Sequence, residues 1–265
     1  MMINKATTTS YLLQNFCISL REPEDLPYPY AIEELMGKTS HLPIIDLQSS
    51  QLGNPEWSVV GTLFAKRYSV FSMGLFSAAS LFDYQLASSP GIVRFRVTHA
   101  AAMEYQTQLA VSNLLSTVDL EQRREQLIAY AKHLLQQLEQ IFQSVSAHTG
   151  ASIPVMWSLT SNNLQNMYAR LIVNRSAWQT EERLRLIMAD HAALFEPWSG
   201  NKIAMKLKPF QHPQVQGGFF YLRRHCCLAY KIKYAGMPAQ EDYCSTCPKL
   251  SQSERLVILS QESGL

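Results

Sequence analysis

Four of the chain's five cysteines lie close together near its C-terminal end. Cys226 and Cys227 are adjacent, sixteen residues follow (228–243), and Cys244 and Cys247 form a CxxC pair closed by Pro248. Thiolates are soft donors, and a CxxC turn aims two sulfurs at one point, so four of them suit a structural zinc ion or a [2Fe-2S] cluster. Zinc ribbons normally carry two CxxC-type knuckles. Cys226 and Cys227 depart from that rule: neighbouring side chains diverge on a regular strand or helix, so both can face one site only on irregular backbone. A two-iron cluster is a broader target than one tetrahedral ion. The spacing is not that of plant-type ferredoxins either, so the residues alone leave zinc and iron-sulfur both open.

The surroundings of the thiols are basic and aromatic. Residues 201–250 hold eight Lys or Arg against two acidic residues, a local balance of +6 in a chain whose net charge is +2. Arg223, Arg224, Lys231 and Lys233 flank the first cysteine pair in sequence. Positive charge there would favour a reduced cluster and steer an acidic protein donor or an anionic ferric complex. Arg223 and Arg224 also read as solvated strand ends, since exposed charges are common. His225 is read as a solvent-facing or hydrogen-bonding residue, because four cysteines already complete a ligand set. Tyr221, Tyr230, Tyr234 and Tyr243 read as shielding for the site, and the isolated Cys17 is given no role.

Arg223 and Arg224 ahead of Cys226 and Cys227, with the distal Cys244, Cys247 and Pro248, resemble the C-terminal signature of the FhuF family of ferric siderophore reductases. The stretch GTLFAKRYSVFS (residues 61–72) is similar to that family's N-terminal half. The resemblance implies that Cys226, Cys227, Cys244 and Cys247 hold a [2Fe-2S] cluster, which passes single electrons to Fe(III) in hydroxamate-type siderophores and so releases the more weakly held Fe(II). No catalytic residue beyond the cluster is expected. The gap between the cysteine pairs is longer than that family's usual one, which points to a divergent branch. The alternative reading is a non-catalytic protein, either zinc-stabilised or an iron-sulfur sensor.

Other chemistries find no support in the chain. Gly217-Gly218 is not GxGxxG and opens no helix, and there is no P-loop, so neither NAD(P) nor flavin is expected and electrons must come from a ferredoxin-like or ferredoxin-reductase donor. No nucleophile elbow is present. A net charge of +2 and a pI near 8.2 are too mild for a nucleic-acid-coating protein. The first twenty residues scatter Thr, Ser, Asn and Gln where a secretory signal would be apolar, so a cytoplasmic protein is expected. No transmembrane segment is expected: Lys66 and Arg67 interrupt the apolar stretch Trp57 to Phe82, which reads as a buried amphipathic helix.

The elements that must position the thiols follow from periodicity. Residues 21–56, with five prolines, read as loop-rich. Val59, Leu63, Phe71, Leu75 and Ala79 share one face of a helix ending near Asp83. Val93, Phe95 and Val97 alternate with Arg94, Arg96 and Thr98 in a strand, and a second strand is expected around Gln106 to Val111. The longest helix is expected from about Asp119 to Ala147, stopped by Gly150, with further helices near Val155 to Ile172 and from Glu181 to Phe195, the latter capped by Thr180. Strands are expected over Ile203–Lys208 and within residues 217–224. Blocks of helices and strands without regular alternation indicate an α+β fold, helix-rich with a mostly antiparallel sheet and a C-terminal cysteine-rich cluster-binding segment. The division is a body over 1–200 and a cysteine-bearing part over 201–265, packed as one unit.

Overall fold

The structure is a computed structural model, and it describes residues 5–20, 28–37, 42–211, 219–232 and 243–262. Its centre is the helix α4 (Trp57–Phe82), preceded by α1 (Lys5–Phe16), β1 (Ile18–Ser19), β2 (Tyr30–Ala31), α2 (Glu33–Met36) and α3 (Pro43–Gln51). After it come β3 (Tyr84–Leu86), β4 (Arg94–Val97), β5 (Met103–Gln106), β6 (Leu109–Leu114), α5 (Leu120–Thr149), α6 (Ile153–Val173), α7 (Arg175–Trp178) and α8 (Glu181–Phe195). The described chain ends with the hairpin β7 (Lys208–Gln211) and β8 (Phe219–Leu222), and with α9 (Gln252–Glu262). The fold is α+β, helix-rich with small, mostly antiparallel sheets. One has the order β1-β5-β4-β2, in which only β1 and β5 run parallel; β3 pairs with β6 and β7 with β8, both antiparallel. Among the described residues no helix is long and apolar enough to cross a membrane.

Local chemistry explains the element ends. Asp119 caps α5 by accepting from the backbone N–H of Glu121 and Gln122, and Gly150 ends it in the left-handed region at φ 69°. Thr180 accepts from Arg183 N and starts α8. The helix expected from Trp57 is present, but it is buried around almost its whole circumference rather than on one face, because α1, α3, α5, α6 and α8 all pack on it. Lys66 and Arg67, half-buried, mark the place where it meets the cysteine-bearing segment.

Other expectations are corrected. The single strand around Gln106 to Val111 is two, since Thr107 donates its N–H to Ser19 O and its hydroxyl to Ala87 O, and the chain passes from one sheet to another there. The strand expected over Ile203–Lys208 begins only at Lys208. Before it, Asn201 Oδ1 accepts from Ile203 N and Ala204 N, while Ser161 and Gln165 of α6 donate to Ile203 O and Met205 O, so side chains take the backbone groups that a ladder would need. The proline-rich 21–56 segment contains two short helices, with Pro43 at the start of α3 where its missing N–H costs nothing. The helix α1 had no counterpart among the expectations; it buries Leu12 and Phe16.

A buried ionic network ties the body together. Arg123 is 1% exposed and donates to both oxygens of Asp190 (2.7 and 2.8 Å) and to Asp83 (2.8 Å), which also accepts two bonds from Arg183 at 2.7 Å. Two arginines face two aspartates, so charge is balanced at the junction of α4, α5 and α8.

Candidate metal centre

The cysteine segment is anchored by polar side chains of α6. Asn166 Nδ2 and Asn162 Nδ2 donate to Tyr221 O, and Asn166 Oδ1 accepts from Tyr221 N, so the last strand before the thiols is gripped along its backbone. One residue beyond β8, Arg223 N donates to Thr246 O at 3.0 Å, which sets the first cysteine pair against the CxxC turn. That turn is closed by Cys247 N to Cys244 O at 2.7 Å. Arg255 of α9, 3% exposed, fastens it from below, donating to Ser245 O, Cys247 O (3.0 Å) and Leu250 O (3.1 Å). Around the adjacent cysteines the backbone is irregular: Leu228 is left-handed at φ 63°, and a 3-10 turn follows over Ala229–Lys231. That is the departure from regular structure that an adjacent pair needs in order to face one site.

The four sulfurs come together. Cys247 Sγ lies 3.6 Å from Cys226 Sγ, and Cys227 is hydrogen-bonded to both Cys226 and Cys244. The sulfurs therefore run as a chain 247–226–227–244. Among the described residues no group of three or more His, Cys, Asp or Glu side chains is arranged to hold a metal ion. Cys227 and Cys247 are buried, Cys226 and Cys244 half-buried, and Cys227 belongs to a small apolar cluster with Val59, Leu63, Leu159 and Ile232. Arg223 Nη1 donates to Cys244 Sγ at 2.9 Å and to Cys227 Sγ at 3.1 Å. Bonds from the Cys226 and Cys244 thiols hold the Cys227 sulfhydryl far below the ordinary thiol range, with the charges of Lys66 and Arg223 adding to them. The same bonds to Cys227, with burial, push Cys226 and Cys244 upward.

Arg223 is the test of whether the site suits a metal centre. It is only 9% exposed, its Nε is buried without a hydrogen-bond partner, and among the described residues it pairs with no carboxylate. A guanidinium is always charged, and an uncompensated buried charge costs several kcal/mol. Sulfurs that carry negative charge compensate it, and thiolates bound to metal do carry it. The residues present fit a tetrathiolate centre.

A cleft of about 550 Å3 opens onto the sulfurs. Lys66 and Arg67 of α4, Tyr230, Tyr243 and Ile258 line it beside the four cysteines, with no Asp or Glu lining it among the described residues. Tyr230 and Tyr243 stand with ring centres 5.0 Å apart, and Lys249 sits 4.5 Å over Tyr230 and donates to its hydroxyl. The other expected residues are placed as follows. Arg224 and His225 are exposed, and Lys231 is exposed and paired with Glu56 at 3.2 Å. Lys233 and Tyr234 lie outside the described residues, as does the 236–242 stretch expected to fold back. Tyr221 serves through its backbone. Cys17 is exposed at the corner between α1 and β1 and is not among the site residues. Sequence reasoning missed Arg255, Asn162 and Asn166, for which no signal stood out. It saw Lys66 and Arg67 only as an interruption of an apolar helix, although two adjacent cations in a buried helix were the signal.

Compared with known proteins, the chain matches no family model and no curated protein.

Proposed function

We propose that the protein is a [2Fe-2S] reductase that delivers single electrons to ferric siderophores, with hydroxamate-type chelates the favoured class, and so releases Fe(II). The observation that carries this reading is the buried Arg223 guanidinium bonded to Cys227 and Cys244, a cation whose counter-charge is sulfur. The basic, aromatic cleft beside the sulfurs supports it, as does the resemblance of residues 223–248 to the FhuF signature.

Cys226, Cys227, Cys244 and Cys247 would hold the cluster, which when bound supplies one-electron chemistry. The chain does the rest. Arg255 and the two asparagines of α6 fix the ligand loops, so that the sulfurs need not reorganise when charge changes. Tyr230 and Tyr243 wall the site without sealing it, and the half-buried Lys66 and Arg67 hold positive charge toward an incoming chelate or donor. Fe(III) is held by hard oxygen donors, and one electron makes it a softer ion that those donors release.

The test is anaerobic mixing of the reduced protein with a ferric hydroxamate complex and a ferrous chelator. Reoxidation faster than in buffer, with trapped Fe(II), is expected; trapping helps because each tenfold removal of product offsets about 59 mV for one electron. NAD(P)H without a protein donor should reduce nothing. Failure of hydroxamate, catecholate and citrate complexes alike to reoxidise the protein would contradict the reductase reading.

A further inference from the structure

We infer that the four cysteines serve as two pairs, Cys227 with Cys244 and Cys226 with Cys247, and that Arg223 makes the iron of the first pair the one that takes the electron. This rests on the [2Fe-2S] reading above. Each pair draws one sulfur from the adjacent cysteines and one from the CxxC turn. Cys227 and Cys244 share the two bonds from Arg223 Nη1, at 3.1 and 2.9 Å. Cys226 and Cys247 are 3.6 Å apart. The shared Arg223 bonds set Cys227 and Cys244 apart from Cys226 and Cys247.

The two pairs differ in their electrostatic surroundings. A charged donor bonded to sulfur stabilises additional negative charge more than a neutral one does, and more still when buried. At Cys227 and Cys244 that donor is Arg223, and the charge of Lys66 acts on the same two sulfurs. The donor to Cys226 Sγ is the neutral Leu228 N–H at 3.4 Å. Two other described cations bear on the second pair without a hydrogen bond to its sulfurs. Lys249 faces Cys226 from an exposed position and is bonded to Tyr230, and Arg255, which acts on both Cys247 and Cys244, spends its hydrogen bonds on carbonyls. One electron from a low-potential donor such as dithionite converts one Fe(III) to Fe(II), with no bond made or broken. Arg223 places that electron between Cys227 and Cys244. It is a positioning residue, since its contacts are with the ligands.

The full chain, purified or reconstituted anaerobically, tests this in two ways once its iron and sulfide have been counted. The first is proton NMR of the dithionite-reduced protein, in which cysteines on ferrous and ferric iron are separated by the temperature dependence of their shifted β-protons, assigned residue by residue. Cys227 and Cys244 are expected together on the ferrous side. Any other grouping, or ferrous character at Cys226 and Cys247, overturns the inference. The second is the midpoint potential. Arg223→Gln should weaken reduction at least tenfold, about 59 mV for one electron, Arg223→Lys should recover part of the loss, and Arg224→Gln should leave the potential unchanged. Equal shifts for Arg223→Gln and Arg224→Gln overturn the inference. If Arg223→Gln loads no cluster, the lysine variant and the native NMR decide. A protein that carries no iron and sulfide overturns the underlying reading as well, whereas a loaded protein with the other grouping overturns this inference alone.

Discussion

At Cys244 and Cys247 the account turns on sulfur being a far better soft-metal ligand than oxygen. Cys244→Ser or Cys247→Ser should abolish the visible absorption of the protein or make it labile, and Cys17→Ser should leave it intact, measured as absorbance per chain after anaerobic purification. Bleaching by Cys17→Ser with a coloured Cys244→Ser variant would contradict the ligand set. The four thiols were legible from spacing alone, because clustered cysteines have few other uses in one segment. Arg223 was legible only as charge. That its side chain turns inward onto two sulfurs depends on the Arg223 N to Thr246 O bond, a contact across twenty-three positions that periodicity does not register.

The elements around the site divide into those that hold the thiols and those that hold the body. Arg255→Ala in α9 removes the donors to Ser245, Cys247 and Leu250 carbonyls and should free the CxxC turn. The expected result is faster loss of metal to a chelator, followed by the decay of visible absorbance, with thermal unfolding of the body little changed. Arg123→Ala should do the reverse. It leaves Asp190 buried and Asp83 short of one partner, a loss of about 3–5 kcal/mol for a broken buried ion pair, measured by denaturant unfolding, while the absorbance per folded chain stays the same. Long periodic helices were legible to within a few residues, as α5 and α8 show, because capping residues and apolar stripes agree there. The segment 203–207 was not: its alternation reads as a strand, but Asn201, Ser161 and Gln165 take its backbone hydrogen bonds.

For the whole molecule, the charge is unevenly spread, with +6 over residues 201–250 in a chain of net +2. A donor that docks by charge would be an acidic protein, and its transfer rate should fall as salt rises from low ionic strength toward 0.1 M, where the screening length is about 10 Å. A rate indifferent to salt would remove electrostatic docking from the account. The α+β class was legible from the order of helical and alternating blocks; the central position of α4 was not, because an apolar helix reads the same whether one neighbour or five cover it. The central proposal is that Cys226, Cys227, Cys244 and Cys247 would hold a [2Fe-2S] cluster. Iron, zinc and acid-labile sulfide counted per chain in anaerobically purified protein, beside its visible spectrum, test that most directly. Two irons and two sulfides in a red-brown protein are expected for a [2Fe-2S] centre, whereas a colourless protein with stoichiometric zinc, even after iron and sulfide reconstitution, would contradict it.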